Sequence, residues 1–239
     1  MLDQQSAVAE PFDWSSIAPE LASASQMWPF SPVYYRKAEC LNYVVIKIMP
    51  TWERATALCD YYFQNLSWFF RPIDHAQVYE ELLPLVYKST LKGMQKVWID
   101  GEDYANTINA HDLALLNMIF ACGASGDLSQ NTRNDEAESY QHLALVLLGM
   151  DSIFDKCCLS TVQAVCMLGC FEAFCGRREV LDSSWKYFSL SASLATSVSS
   201  CIVYQYIQFL IPIPDWPPWV PMPCFIAVNN LTVAFFLIL

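Results

Sequence analysis

The chain has 239 residues, of which 54% are hydrophobic and 15% charged, so it carries ample material for a sizeable buried core. Its formal net charge is −11, with only 13 Lys and Arg and no basic cluster longer than Arg177-Arg178. Affinity for nucleic acid rests on cations that neutralise phosphates, so direct nucleic-acid contact by these residues is excluded as an expectation. Seven glycines among long apolar stretches favour helices over a turn-rich β architecture.

Ten cysteines are spread along the chain without a Cys-x-x-Cys pair or zinc-finger spacing. Cys166 and Cys170, four residues apart, share a helix face and read as small buried apolar residues. Met1-Leu2-Asp3-Gln4-Gln5 lacks the basic start and apolar run of a signal peptide, so the expected compartment is reducing and intracellular. The Asn65-Leu66-Ser67 and Asn230-Leu231-Thr232 sequons then read as chance matches.

In chain order, residues 1–49 read as a poorly ordered lead-in, rich in Ser, Ala, Pro and Gln over the first forty, with Trp14, Trp28 and Phe30 available to dock. Helical spacing begins after Pro50, with Ala55, Leu58, Tyr62, Leu66 and Phe69 on one face and Pro72 as the stop. Asp74 offers an N-cap to a stripe of Val78, Leu82, Leu85 and Val86, which Pro84 is expected to kink or end. Residues 99–110, with Asp100, Glu102 and Asp103, read as a solvated acidic loop without an EF-hand pattern. Leu115, Met118, Ile119 and Cys122 mark a third helix, ending near Gly123 and Gly126. After a polar turn at 127–134, Ala137, Tyr140, Ala144, Leu147 and Leu148 mark a fourth.

Ser160-Thr161-Val162-Gln163 matches a capping box, in which the serine accepts from the third helical amide and the glutamine reaches back. Val162, Val165, Gly169, Cys170 and Ala173 follow on one face, which Gly169 and Ala173 keep thin enough for a close neighbour, and Gly176 closes the helix. Ser183 or Ser184 caps a last helix with Trp185, Phe188, Ala192 and Ala195 turned to the core. The expected fold class is all-α, an antiparallel helical array with short loops and no strict internal repeat.

The order of these segments resembles the fungal-specific transcription factor domain, the middle homology region of fungal zinc-cluster transcription factors, in a form similar to those of basidiomycetes. The residues that carry the resemblance are Ala57-Leu58-Cys59-Asp60-Tyr61-Tyr62-Phe63, Trp68-Phe69-Phe70-Arg71-Pro72-Ile73 and Glu81-Leu82-Leu83-Pro84-Leu85-Val86-Tyr87. His111-Asp112-Leu113-Ala114-Leu115-Leu116, Phe120-Ala121-Cys122-Gly123-Ala124, Ala137-Glu138-Ser139-Tyr140 and Ser152-Ile153-Phe154 follow. Ser160-Thr161-Val162-Gln163-Ala164, Gly176-Arg177-Arg178, Ser184-Trp185 and Leu194-Ala195 close it.

The resemblance covers 50–198 and implies the N-terminal part of a regulatory domain in a nuclear transcription regulator. Its implied partners are proteins of the transcription machinery or a homodimer partner, and a small-molecule effector in a helical groove. In that family DNA and zinc are held by a separate six-cysteine module; only Cys40 lies before residue 50, so no cofactor is expected in this chain. The family pattern emphasises Gln163, Arg177 and Trp185. They read here as a capping residue, a helix-terminus charge and a core aromatic, so no catalytic, cofactor or metal site is assigned.

From Tyr187 onward the only charged residue is Asp215, and the family pattern stops at Val198. The apolar, Pro-rich stretch 199–239 therefore reads as foreign to the domain, with translated intron sequence as the favoured origin. An SH3- or WW-type polyproline ligand over 212–221 and a membrane anchor are the other readings, the anchor disfavoured by runs shorter than about 20 apolar residues. The anchor supplies the alternative function, a small membrane-associated helical protein. Catalysis is not expected: His75, His111 and His142 fall on different helices, neighbours such as His111 and Asp112 diverge on a helix, and no nucleophile elbow, P-loop or dinucleotide fingerprint occurs.

Overall fold

The computed structural model describes residues 29, 37–68, 71–90, 93–96, 109–130, 134–154, 157–174 and 181–210. The described residues are all-α apart from one hairpin. Helix α1 is Lys37–Tyr43, prolonged by a wider π-helical turn Val44–Ile48; α2 is Trp52–Tyr61, prolonged likewise over Tyr62–Leu66. Helix α3 comprises a π-helical stretch Gln77–Leu82 and an α-helical end Leu83–Val86. Strands β1 (Tyr87–Thr90) and β2 (Gly93–Lys96) pair antiparallel, with Tyr87 opposite Lys96. Four longer helices complete the described fold: α4 Ala110–Ser125, α5 Asp135–Leu148, α6 Leu159–Phe174 and α7 Leu181–Leu210.

Helix α4 is the axis. Every residue from Leu113 to Ala124 is buried, so the expected one-sided stripe is instead a helix enclosed on all sides. Helix α5 folds back along it after a short turn, and Phe120 meets Tyr140 at 5.6 Å between ring centroids. Helix α6, buried from Ser160 to Phe171, lies on another flank. Helix α7 runs antiparallel to α6: Ser184 donates to the Gly169 carbonyl at 2.7 Å and, two turns on, Ser191 donates to the Val162 carbonyl at 3.0 Å.

The lead-in expected over 1–49 is corrected at its end. Helix α1 sends Cys40, Leu41, Val44, Val45 and Met49 into the same core as α4, and Asn117 of α4 reaches the Met49 sulfur at 3.5 Å. The hairpin, which no hydrophobic period announced, clamps this helix. Lys96 donates from Nζ to the carbonyls of Ile46 and Met49, at the end of α1 where the free carbonyls concentrate negative charge. Burial holds the Lys96 ammonium below its ordinary pKa. Buried Tyr87 donates to the Pro50 carbonyl at 2.7 Å and stacks edge-on against Trp52.

Pro84 acts as expected on α3. A proline has no N–H for the carbonyl four residues back, and its ring crowds that carbonyl. The helix meets this with the wide turn Gln77–Leu82, places Pro84 in the first turn of the α-helical segment, and ends at Tyr87. Thr51 caps α2 by accepting from the Arg54 amide, and Asn134 caps α5 by accepting from Glu136 at 2.8 Å.

Of the two glycines expected at the end of α4, one changes role and one does not. Gly123 does not end α4. It lies inside the helix, where α2 comes so close that a Cβ would sit 2.7 Å from the Leu58 carbonyl carbon and nearer still to its oxygen. Gly126 is the C-cap, and Asn65 donates to its carbonyl at 2.8 Å. The boundary expected at Ser199 does not interrupt the backbone, because α7 continues unbroken to Leu210. The readings placed on 1–28, 97–108 and 211–239, including the acidic loop and the Pro-rich stretch, lie outside the described residues.

Candidate functional site

The N-terminal ends of α4 and α6 meet at a cluster of polar side chains. Asn109 caps α4, its Oδ1 accepting from the His111 amide at 3.1 Å, and its Nδ2 donates to Cys158 Sγ at 3.4 Å. His111, fully buried one residue into α4, places Nδ1 2.7 Å from the Thr161 hydroxyl and Nε2 3.4 Å from the Asp151 carbonyl. A carbonyl only accepts, so Nε2 carries the proton and Nδ1 accepts from Thr161. Thr161 Oγ1 then accepts from the Cys158 amide at 3.1 Å and lies 3.2 Å from Cys158 Sγ.

This network replaces the expected capping box. Cys158 takes the first helical bond of α6, its carbonyl accepting from Val162, and Thr161 is the side chain that reaches back to the cap amide. Ser160 is already inside the helix. Gln163 faces elsewhere: its Nε2 donates to the Pro72 carbonyl at 3.0 Å, and its amide pairs with that of Gln77. The expected cap is thus a tie between α6 and the start of α3.

The adjacent thiols differ. Burial pushes the Cys157 thiol up to about 11. Burial also acts upward on Cys158, but its hydrogen bonds to His111 and Thr161 outweigh that and hold it below the ordinary thiol range. Cys166 and Cys170 are buried and in no disulfide, as is Cys122. Among the described residues, no group of three or more His, Cys, Asp or Glu is placed to hold a metal ion.

The second candidate is the outer face of α7. Trp185, expected in the core, is 72% exposed, while Ser184, Ser191 and Leu194 point inward. The inward face is offset by one residue because its anchoring positions are serines, which α6 carbonyls satisfy. An apolar-stripe reading skips such positions. Trp185 packs edge-on against Phe188, whose ring lies against Gly169. Arg177 lies outside the described residues. His75 stacks on Tyr79 at 4.2 Å, and His142 is exposed on α5, so the structure brings none of the three histidines together.

Sequence reasoning missed the Asn109–His111–Cys158–Thr161 cluster. Its signals were an Asn two residues before His111 and a Thr three residues after Cys158, both common at helix starts for structural reasons alone. Compared with family models, with curated proteins and with solved structures, the chain matches none. No helix among the described residues is long and apolar enough to cross a membrane.

Proposed function

We propose that this chain is a helical regulatory module of a transcription regulator, working in the nucleus through protein–protein contact. The observation that carries this reading is Trp185: a large aromatic at a position the resemblance emphasises lies 72% exposed on α7. Exposed tryptophans set among polar residues are favoured anchors for partners, since they bury much area at little conformational cost. The resemblance also supports the reading, because several residues that carry it tie the fold together, with Gln163 on Pro72 and Ser184 on Gly169. Under this reading the module is not an enzyme and binds neither DNA nor zinc, which belong to a separate domain of the family.

The test is to fuse residues 1–239 to a heterologous DNA-binding domain and measure transcription from a matching reporter. The expected result is output clearly different from that of the DNA-binding domain alone, and a return toward that baseline in Trp185→Ala at equal nuclear protein level. Reporter output equal to that of the DNA-binding domain alone overturns the proposal.

A further inference from the structure

The Asn109–His111–Cys158–Thr161 cluster has the parts of an activated nucleophile: a thiol, a base, and a carbonyl that orients the base. We infer that Cys158 is a modification site, a nucleophilic thiol that takes soft carbon electrophiles of the α,β-unsaturated carbonyl class. The inference does not depend on the proposed regulatory function and concerns residues away from Trp185.

The geometry gives the proton a path. The Asp151 carbonyl fixes the Nε2–H of His111, so Nδ1 presents a lone pair to the Thr161 hydroxyl at 2.7 Å. The hydroxyl oxygen in turn faces the Cys158 sulfur at 3.2 Å. As sulfur attacks the β-carbon, the S–C bond forms and the C=C π bond breaks, its electrons moving onto the carbonyl oxygen as an enolate. The thiol proton passes to Thr161 while the threonine proton passes to Nδ1. Solvent water then protonates the α-carbon, and the hydroxide so formed takes the proton that the buried imidazolium gives up, leaving a neutral adduct and the starting imidazole.

Three features favour sulfur carrying negative charge on the way. Asn109 Nδ2–H donates to it at 3.4 Å, the 16-residue helix α6 points its positive end at it, and the neighbouring imidazole takes up the proton. Cys157 is the internal control. It is the adjacent residue and is partly exposed like Cys158, but it lacks the hydrogen bonds that offset burial at Cys158, so burial acts unopposed on its thiol and raises its pKa. A merely accessible thiol would react equally at the two positions.

The test uses the full chain, freed of reductant and labelled with N-ethylmaleimide at pH 7 for graded times. Mass spectrometry with fragmentation assigns the label between Cys157 and Cys158. The expected result is labelling of Cys158 at least about tenfold faster than Cys157, with the ratio collapsing to about one in urea. Thr161→Val, which keeps the shape and removes the hydroxyl, is expected to slow Cys158 severalfold and leave Cys157 unchanged. If that variant fails to fold by circular dichroism, the wild-type ratio decides alone. Equal rates at the two cysteines, faster labelling of Cys157, or a folded Thr161→Val with an unchanged Cys158 rate overturns the inference.

Discussion

Among the described residues, two helix–helix contacts use a glycine, and they use it for different ends. At Gly123, α4 meets the backbone of α2, and the space a Cβ would fill is occupied by the Leu58 peptide. At Gly169, α6 meets α7 through the Phe188 ring, with ring carbons 3.0 Å from where a Cβ would sit. The first neighbour is main chain held in a helix and cannot yield without moving α2. The second is a side chain with rotatable bonds on a helix whose outer face is open. Packing is therefore set rigidly around α4 and more permissively between α6 and α7.

The contrast is broken most directly by adding a methyl group at each site. Gly123→Ala forces α2 off α4 and disturbs the ties that depend on that approach, Asn65 to the Gly126 carbonyl and Arg54 to Glu136 at 2.6 and 3.0 Å. Overpacking of a dense core costs about 1–3 kcal/mol when side chains can adjust, and more when backbone must move. We expect Gly123→Ala to lose about 3 kcal/mol or more in urea denaturation, or to fail to accumulate as folded protein. A loss below about 1 kcal/mol would show that α2 moves freely and would erase the distinction.

The inward serines of α7 sharpen the second contact. Ser184 is buried and donates to the carbonyl of Gly169 itself at 2.7 Å. Ser184→Ala removes a buried donor but leaves a helical carbonyl, so the expected loss is about 1 kcal/mol, the net value of an ordinary hydrogen bond. Chemical denaturation of that variant measures it. A loss near zero would mean that α7 is held by Leu194, its apolar neighbours and the Ser191 tie, without help from Ser184.

These two contacts also mark what was legible in the sequence. The helices α2 and α5 announce themselves by apolar spacing, because burying one face imposes a 3.6-residue period, whereas α4 and α6 are buried all round and announce themselves as long apolar runs. Pro84 and Gly126 announce local backbone limits. Gly123 was legible as unusual but not as a contact, since a helix end and a close approach both call for glycine and only the fold decides between them. The face of α7 was misplaced by one residue because Ser184 and Ser191 are polar residues doing core work, and hydropathy assigns them to solvent. Helix α1 was hidden in a lead-in that composition marked as loose, although Leu41, Val44 and Val45 are completely buried. The cluster at Cys158 was invisible because its four side chains come from two helix starts about fifty residues apart, and each has a sufficient local explanation.

The smallest expected effect is also the most discriminating. Gly169→Ala adds a methyl group against Phe188, whose ring must give by a few tenths of an ångström, and the closest contacts are all ring atoms. Against that strain stands a gain, because alanine in a helix interior is favoured over glycine by about 0.8–1.0 kcal/mol. The two terms oppose and are similar in size, so the net change is expected within about 1 kcal/mol of zero. The Trp185 fluorescence should nevertheless shift, because that indole packs on the displaced ring at 6.3 Å between centroids. A spectral shift without a stability change would show that the α6–α7 contact adapts through side chains. A loss as large as that of Gly123→Ala would show the opposite: α7 docks as rigidly as α2, and the open face bearing Trp185 is held in place by the packing beneath it.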